Sequence, residues 1–162
     1  MSSRVGGLTR KEIAVAIAAV VGVNAVGATP AALFGADTDW IDRPWFFPPE
    51  IAFPVVWTLL FTLMGVALFL VWREGTSRQT VTTAVAVFAV QLALNVAWTP
   101  VFFGLQRPDL GLIVIGALWV AIVATIAAFD RISRTAAGLL VPYLAWVSFA
   151  FVLNFAIYAG VG

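Results

Sequence analysis

The sequence predicts an all-α integral membrane protein built as a bundle of five transmembrane helices. Of the 162 residues, 62% are hydrophobic and only 10% are charged, and the mean hydropathy is +1.03. A soluble domain carries about 25% charged residues, so this chain cannot cover a water-facing surface. Crossing a bilayer takes about 20 apolar residues, and five stretches of that length lack Asp, Glu, Lys and Arg. They are 13–34, 51–72, 80–104, 110–129 and 136–160.

The first of these stretches requires a separate argument, because it resembles a secretory signal peptide. Basic residues precede it, and small residues near Ala28 resemble a cleavage region. Its apolar run is about 22 residues long, whereas the hydrophobic region of a signal peptide has about 7–15. We therefore expect a retained first helix. Because the connections are short, we expect a single membrane domain over residues 1–162.

The basic residues predict the orientation in the membrane. With the N-terminus inside, seven of the nine basic residues face the cytoplasm, and Arg43 and Arg107 lie outside. The positive-inside rule therefore predicts a cytoplasmic N-terminus and an external C-terminus. No mitochondrial presequence is recognisable, so we expect a prokaryotic cell membrane. The seven basic residues are Arg4, Arg10, Lys11, Arg73, Arg78, Arg131 and Arg134.

The composition excludes several kinds of chemistry. The chain has no His and no Cys, which removes the usual zinc and iron–sulfur ligands and the Ser-His-Asp and Cys-His catalytic units. The spans contain no ionisable groups of the kind that mark proton and ion pathways. A net charge of +1 provides no basic tract for nucleic acid. We expect no metal, no cofactor and no nucleic-acid partner.

The third span has a polar and aromatic face. Gln91, Asn95 and Trp98 follow at spacings of four and three, which places them on one side of a helix, and Phe102 continues that side. We expect this face to line a cavity; the alternative is that the two amides only bond neighbouring helices. Pro100 should kink or end the helix, because proline lacks a backbone donor.

Other features of the spans indicate packing and anchoring. Ala89, Ala93 and Ala97 lie opposite the polar face and form a small-residue ladder that allows another helix to approach closely. Tyr143 and Tyr158 lie near opposite ends of the fifth span. A place in the aromatic belts at the membrane interfaces is one interpretation of these two tyrosines.

The fifth and second spans supply further candidate ligand contacts. Trp146, Ala150 and Asn154 follow at intervals of four, so they share one face of the fifth helix. Trp57 and Phe61 form part of an aromatic stripe on the second helix. Such a stripe is more often part of a hydrophobic core than of a binding site. Core packing therefore remains an alternative to ligand binding for Trp57 and Phe61.

The loop between the first two spans is unusual. Residues 37–50 contain four aromatic residues and three prolines, and prolines restrict the backbone. Because four water-exposed aromatic rings are unfavourable, we expect the loop to fold back on the bundle as a lid over a cavity. The alternative is insertion into the lipid interface. The aromatic residues are Trp40, Trp45, Phe46 and Phe47.

Three groups of motifs occur in order along the chain. They are Trp45-Phe-Phe-Pro-Pro49 with Trp57-Thr-Leu-Leu-Phe61, then Gln91-Leu-Ala-Leu-Asn95-Val-Ala-Trp98, and finally Pro142-Tyr-Leu-Ala-Trp146 with Leu153-Asn154. In these motifs, and over about residues 10–160, the chain resembles the TspO/MBR family. These are tryptophan-rich sensory proteins related to the mitochondrial translocator protein, or peripheral-type benzodiazepine receptor.

The resemblance implies a five-helix bundle, often a homodimer through helix three, with a ligand cavity near the first loop. Family ligands include porphyrins and related tetrapyrroles, cholesterol in some members, and synthetic benzodiazepine-type drugs. We therefore expect a receptor or transporter-like protein whose partners are a flat hydrophobic ligand, membrane lipid and a second copy. Ligand contacts carry over to Trp45, Trp57, Phe61, Asn95, Trp146, Ala150 and Asn154, and the helical-face argument adds Gln91 and Trp98.

Two alternative functions remain beside ligand binding and transport. Some bacterial members of the family degrade protoporphyrin in light, and such a reaction would use Trp57 and Trp146 as oxidisable residues. The spans hold no other catalytic candidate. A sensor of tetrapyrrole or stress that acts through a partner is the second alternative.

The chain departs from the family pattern at two places. The family's sterol motif needs a basic residue near the end of helix five, and only Ala-Gly-Val-Gly follows Tyr158 here. Sterol binding through that motif is therefore not expected. Val96 and Thr99 stand where many members have Trp and Pro, which predicts a wider cavity at this point.

Overall fold

The computed structural model describes residues 4, 5 and 7–162 and confirms the predicted five-span helical bundle. Among these residues, five helical segments are long and apolar enough to cross a membrane. The described part of the chain starts with a short antiparallel pairing of β1 (Arg4–Val5) and β2 (Leu8–Thr9). The helices are α1 (Arg10–Phe34), α2 (Ala52–Trp72), α3 (Gln79–Thr99), α4 (Pro108–Asp130), α5 (Arg134–Leu139) and α6 (Val141–Ala159).

The start of α1 is fixed by a capping box. Thr9 Oγ1 accepts a hydrogen bond from the Glu12 amide at 3.2 Å, and Glu12 Oε2 accepts one from the Thr9 amide at 2.8 Å. Together these bonds satisfy two amides that a helix start otherwise leaves unpaired. Glu12 also pairs with Arg73 at 3.4 Å, so the same carboxylate connects the start of α1 to the end of α2.

Pro100 ends the α-helical part of the third span, as expected. The helix α3 stops at Thr99, and a wider π-helical turn continues over Pro100–Gly104. The Leu105 amide donates to the Pro100 carbonyl at 2.9 Å, across five residues. Because the wide turn prolongs the helical path, Phe102 stays buried against the bundle.

The fifth span is interrupted, whereas the sequence predicted one continuous helix over 136–160. It consists of the short helix α5 and the longer helix α6, separated at Leu140. Pro142 lies in the first turn of α6. Because proline has no amide to donate back to residue 138, it favours the start of a new helix at this position.

Close helix packing holds the bundle together. A Cβ built on Gly65 would lie 2.5 Å from Val20 Cα, so the backbones of α1 and α2 touch there. The other main pairings are α3 with α4 and α4 with α6. Phe88 of α3 stacks on Phe129 of α4 with ring centres 5.9 Å apart. Small residues at helix contacts and interlocking aromatics are typical of membrane bundles.

Candidate ligand-binding cavity

A cavity of about 380 Å³ lies among the helices, at the end of the bundle covered by the α1–α2 loop (residues 35–51). Ligand pockets have volumes of about 300–1,000 Å³, so this one has room for a small molecule. Helices α1, α2, α3, α4 and α6 all contribute to its wall. The lining residues are Asn24, Gly27, Ala28, Ala31, Ala36, Thr38, Glu50, Phe53, Pro54, Trp57, Thr58, Phe61, Asn95, Trp98, Thr99, Phe103, Ile115, Leu118, Val147 and Ala150.

Two indoles from different helices form the aromatic part of this wall. Trp57 of α2 stacks on Phe61 with ring centres 5.3 Å apart and an angle of 25°. Trp98 of α3 stacks on Phe102 at 4.7 Å and 16°. Because each indole is supported by a neighbouring ring, both present a preorganised flat surface. Flat π surfaces of this kind suit an extended aromatic ligand.

The wall on the α1 side is built from small residues. A Cβ on Gly27 would lie 2.4 Å from the Phe61 ring. Any residue other than glycine at this position would therefore clash with the ring. Ala28 and Ala31 line the cavity and are exposed. The α1 side of the cavity is therefore a wall of short side chains.

A buried chain of hydrogen bonds orients Asn95. Asn95 Nδ2 donates to the Tyr143 hydroxyl at 2.8 Å, and that hydroxyl donates to Gln91 Oε1 at 2.8 Å. Gln91 Nε2 approaches Met64 Sδ at 3.8 Å. Asn95 lines the cavity, and its Oδ1 accepts none of the hydrogen bonds found among the described residues. Asn95 thus offers an acceptor to a ligand, whereas Gln91 is buried outside the lining and connects helices.

Asn154 lies behind Trp98 and outside the lining of the main cavity. Its Oδ1 accepts a hydrogen bond from Trp98 Nε1 at 3.1 Å, and its Nδ2 donates to the Pro108 carbonyl at 2.9 Å. The side chain therefore connects α6 to the start of α4 and fixes the Trp98 indole. Its role in the structure is to position a cavity residue.

Trp146 and Trp45 also lie outside the cavity lining. Trp146 packs against Phe53 at 6.1 Å and Phe149 at 5.4 Å, so Phe53 occupies the position next to the cavity. The buried Trp146 Nε1 has no hydrogen-bond partner among the described residues. Trp45 is 89% exposed and contacts Phe46 edge to face at 5.5 Å.

The structure thus brings part of the predicted site together around one cavity. The predicted residues that line this cavity are Trp57, Phe61, Asn95, Trp98 and Ala150. The predicted residues outside its lining are Trp45, Gln91, Trp146 and Asn154. Sequence reasoning did not identify Thr38 and Glu50 of the loop, nor the Asn24 and Gly27 side of α1, as part of the cavity wall. The spacing of Asn24, Gly27, Ala28 and Ala31 on one helical face was the available signal for that wall.

The α1–α2 loop folds back on the bundle, and its single strongly exposed aromatic ring is that of Trp45. Ile41 and Pro44 are buried, and Trp40 packs on Phe102 with ring centres 5.4 Å apart. Phe47 packs on Phe53 of α2 at 5.7 Å. The loop therefore has the position of a lid, and Trp45 remains available for the lipid interface.

An ion pair braces this loop at the cavity. Arg43 Nη2 donates to Glu50 Oε1 at 2.7 Å and to Thr38 Oγ1 at 2.6 Å. The Arg43 guanidinium also lies 5.1 Å from the centre of the Phe47 ring. Hydrogen bonds from Thr38 and Arg43, with the Arg43 charge, hold the pKa of Glu50 below its usual value of 4.5. Glu50 is therefore a carboxylate at neutral pH.

These features define a class of protein: a multi-pass helical membrane protein with an aromatic cavity under its first loop. The sequence model of the TspO/MBR family matches residues 14–159. The chain belongs to the TspO/MBR family.

Several characterised relatives align over most of the chain. It is 50% identical over 115 residues to the tryptophan-rich protein TspO of Chlorobaculum tepidum, covering 71% of this chain and 73% of that protein. It is 42% identical over 131 residues to the tryptophan-rich sensory protein of Cereibacter sphaeroides, with coverages of 79% and 80%. The human translocator protein is 35% identical over 119 residues, with coverages of 73% and 70%.

Proposed function

We propose that this protein binds porphyrins, or related flat hydrophobic ligands, in the cavity beneath the α1–α2 loop and acts as a membrane receptor or transporter. The observation that carries the proposal is the pair of supported indoles, Trp57 and Trp98, in the wall of a cavity of about 380 Å³. The names of the relatives, sensory protein and translocator protein, agree with a receptor or transport role.

The cavity wall offers the contacts that a flat aromatic ring needs. Indole faces bury large areas with little loss of side-chain freedom and stack on extended π systems. Asn95 Oδ1 offers a hydrogen-bond acceptor beside these rings, and the surrounding wall is mostly apolar.

We further propose a membrane, an orientation and an oligomeric state for this protein. The distribution of basic residues supports a cytoplasmic N-terminus and an external C-terminus in a prokaryotic cell membrane. Ala89 and Ala93 of α3 are exposed, and Ala97 is half-buried. This small-residue face supports a homodimer through α3, because small residues allow helices of two copies to approach closely.

Replacing both indoles of the cavity should weaken porphyrin binding strongly. The double variant Trp57→Leu/Trp98→Leu removes two stacking surfaces, each worth about 0.5–1.5 kcal/mol beyond buried area, so the dissociation constant for protoporphyrin should rise about 10- to 100-fold. Quenching of the remaining tryptophans during a protoporphyrin titration in detergent measures it. The matched control is Trp119→Leu, because Trp119 lies outside the cavity and bonds Ser148 at 2.9 Å.

Equal affinities for the double variant and the control would place the binding site elsewhere, provided that circular dichroism shows both bundles folded. The same samples separate binding from light-driven porphyrin breakdown, the alternative function. In that case the porphyrin spectrum bleaches faster in light with the wild type than with the double variant. Equal bleaching rates in the two proteins exclude chemistry assisted by the cavity.

A further inference from the structure

The lining of the cavity contains one formally charged side chain among the described residues, that of Glu50. The other polar lining residues are neutral: Asn24, Thr38, Thr58, Asn95 and Thr99. Arg43 neighbours Glu50 but is absent from the lining. A ligand that enters the cavity therefore meets a carboxylate at the loop end and no positive charge in the wall.

The two oxygens of Glu50 have different surroundings. Oε1 accepts hydrogen bonds from Arg43 Nη2 at 2.7 Å and from Thr38 Oγ1 at 3.0 Å. Oε2 accepts none of the hydrogen bonds found among the described residues. One oxygen thus holds the loop, and the other remains available as an acceptor.

Arg43 braces the loop and does not belong to the cavity lining. Its Nη2 is committed to Thr38 and Glu50, and its guanidinium lies against the Phe47 ring. A ligand carboxylate inside the cavity would face the Glu50 charge in the wall, where no lining cation offsets it. Like charges at close range repel, so this arrangement disfavours anionic ligand groups.

We propose that Glu50 is a specificity-determining residue, which selects flat ligands with a neutral or hydrogen-bond-donating edge at the α1–α2 loop and disfavours ligands with a free carboxylate there. This inference rests on the proposed binding of flat ligands in the cavity, and it names the ligand class within it. Porphyrins whose acid groups are esterified or absent then bind better than dicarboxylic porphyrins.

The test compares two probes of the same ring, protoporphyrin IX and its dimethyl ester, by fluorescence quenching in one neutral detergent. The measured quantity is the ratio of their dissociation constants, diacid over ester. In Glu50→Gln this ratio should fall about three- to tenfold, on the order expected for one screened charge at close range. The glutamine keeps an acceptor for Arg43 and Thr38, and any general loosening of the loop affects both probes alike, so it cancels in the ratio.

The matched control is Asp39→Asn, which removes one negative charge from the same loop outside the cavity lining. The proposal is supported if the ratio falls in Glu50→Gln and stays at the wild-type value in Asp39→Asn. An unchanged ratio in Glu50→Gln, or an equal fall in both variants, overturns it while leaving cavity binding intact. Failure of the wild type to bind either probe overturns the proposed function, and the inference falls with it.

Discussion

Gly65→Ala is expected to lower the free energy of unfolding of the bundle by about 2 kcal/mol, within the range of about 1–3 kcal/mol for overpacked contacts. The added Cβ would lie 2.5 Å from Val20 Cα and 2.9 Å from the Val20 nitrogen. These are backbone atoms, so no side-chain rotation relieves the clash, and α1 and α2 must separate. Equilibrium unfolding in mixed detergent micelles, followed by circular dichroism, measures the loss.

The matched control for this substitution is Gly22→Ala on α1. A Cβ at Gly22 meets no atom within 4 Å, and alanine is the better helix former of the two. Its stability should equal or slightly exceed that of the wild type. If Gly65→Ala were as stable as Gly22→Ala, the close contact between the α1 and α2 backbones would be contradicted.

Tyr143→Phe should cost about 2 kcal/mol of stability, the second of the two large effects. Tyr143 is 1% exposed, and its hydroxyl accepts from Asn95 and donates to Gln91. Removing it leaves an amide hydrogen and an amide oxygen buried without a partner, and each such group costs about 1–3 kcal/mol in general. The same unfolding experiment provides the number.

Tyr158→Phe is the control, because Tyr158 is exposed and makes no hydrogen bond found among the described residues. It should unfold like the wild type. Adding Gln91→Leu to Tyr143→Phe should restore part of the lost stability, since the variant then has one unpaired amide fewer. Equal stability of Tyr143→Phe and Tyr158→Phe would show that the buried hydrogen-bond chain is absent.

The five-span fold could be predicted because the bilayer fixes both the length and the composition of each helix. Hydropathy therefore located the spans to within a few residues of the observed helix ends. Hydropathy did not predict the break in the fifth span at Leu140. An apolar span looks continuous in hydropathy, whereas the interruption depends on one missing backbone donor at Pro142.

The two tyrosines show where the belt argument fails. Tyr158 is exposed near the end of its helix, in the position expected of a belt residue, but Tyr143 is buried, so the belt interpretation is wrong for Tyr143. The short helix α5 begins at Arg134 and belongs to the same span. At about 1.5 Å per residue, it places Tyr143 well inside the bundle, where its hydroxyl reaches Gln91 and Asn95.

Helical spacing predicted the cavity residues only in part. Helical spacing correctly placed Gln91, Asn95 and Trp98 on one face of α3, but that face runs from the buried hydrogen-bond chain into the cavity. Where the cavity begins along that face depends on how the other helices pack against α3. Trp146 shares a face with Ala150, yet Phe53 from the first turn of α2 lies between Trp146 and the cavity.

Glu50 could not be identified from spacing at all, because its place at the cavity follows from the path of the α1–α2 loop. That path depends on contacts between distant residues, such as Trp40 with Phe102 and Phe47 with Phe53. The aromatic and proline content of the loop predicted that it would fold back on the bundle. That composition does not indicate which polar side chain of the loop faces the cavity.

The most direct test of cavity binding is an experimental structure of the protein with protoporphyrin at saturating concentration. The expected result is ring-shaped density among α2, α3 and α6, in contact with the indoles of Trp57 and Trp98 and beside Asn95. Density only on the outer surface of the bundle, with the cavity empty while the titration shows a bound porphyrin, would contradict the account.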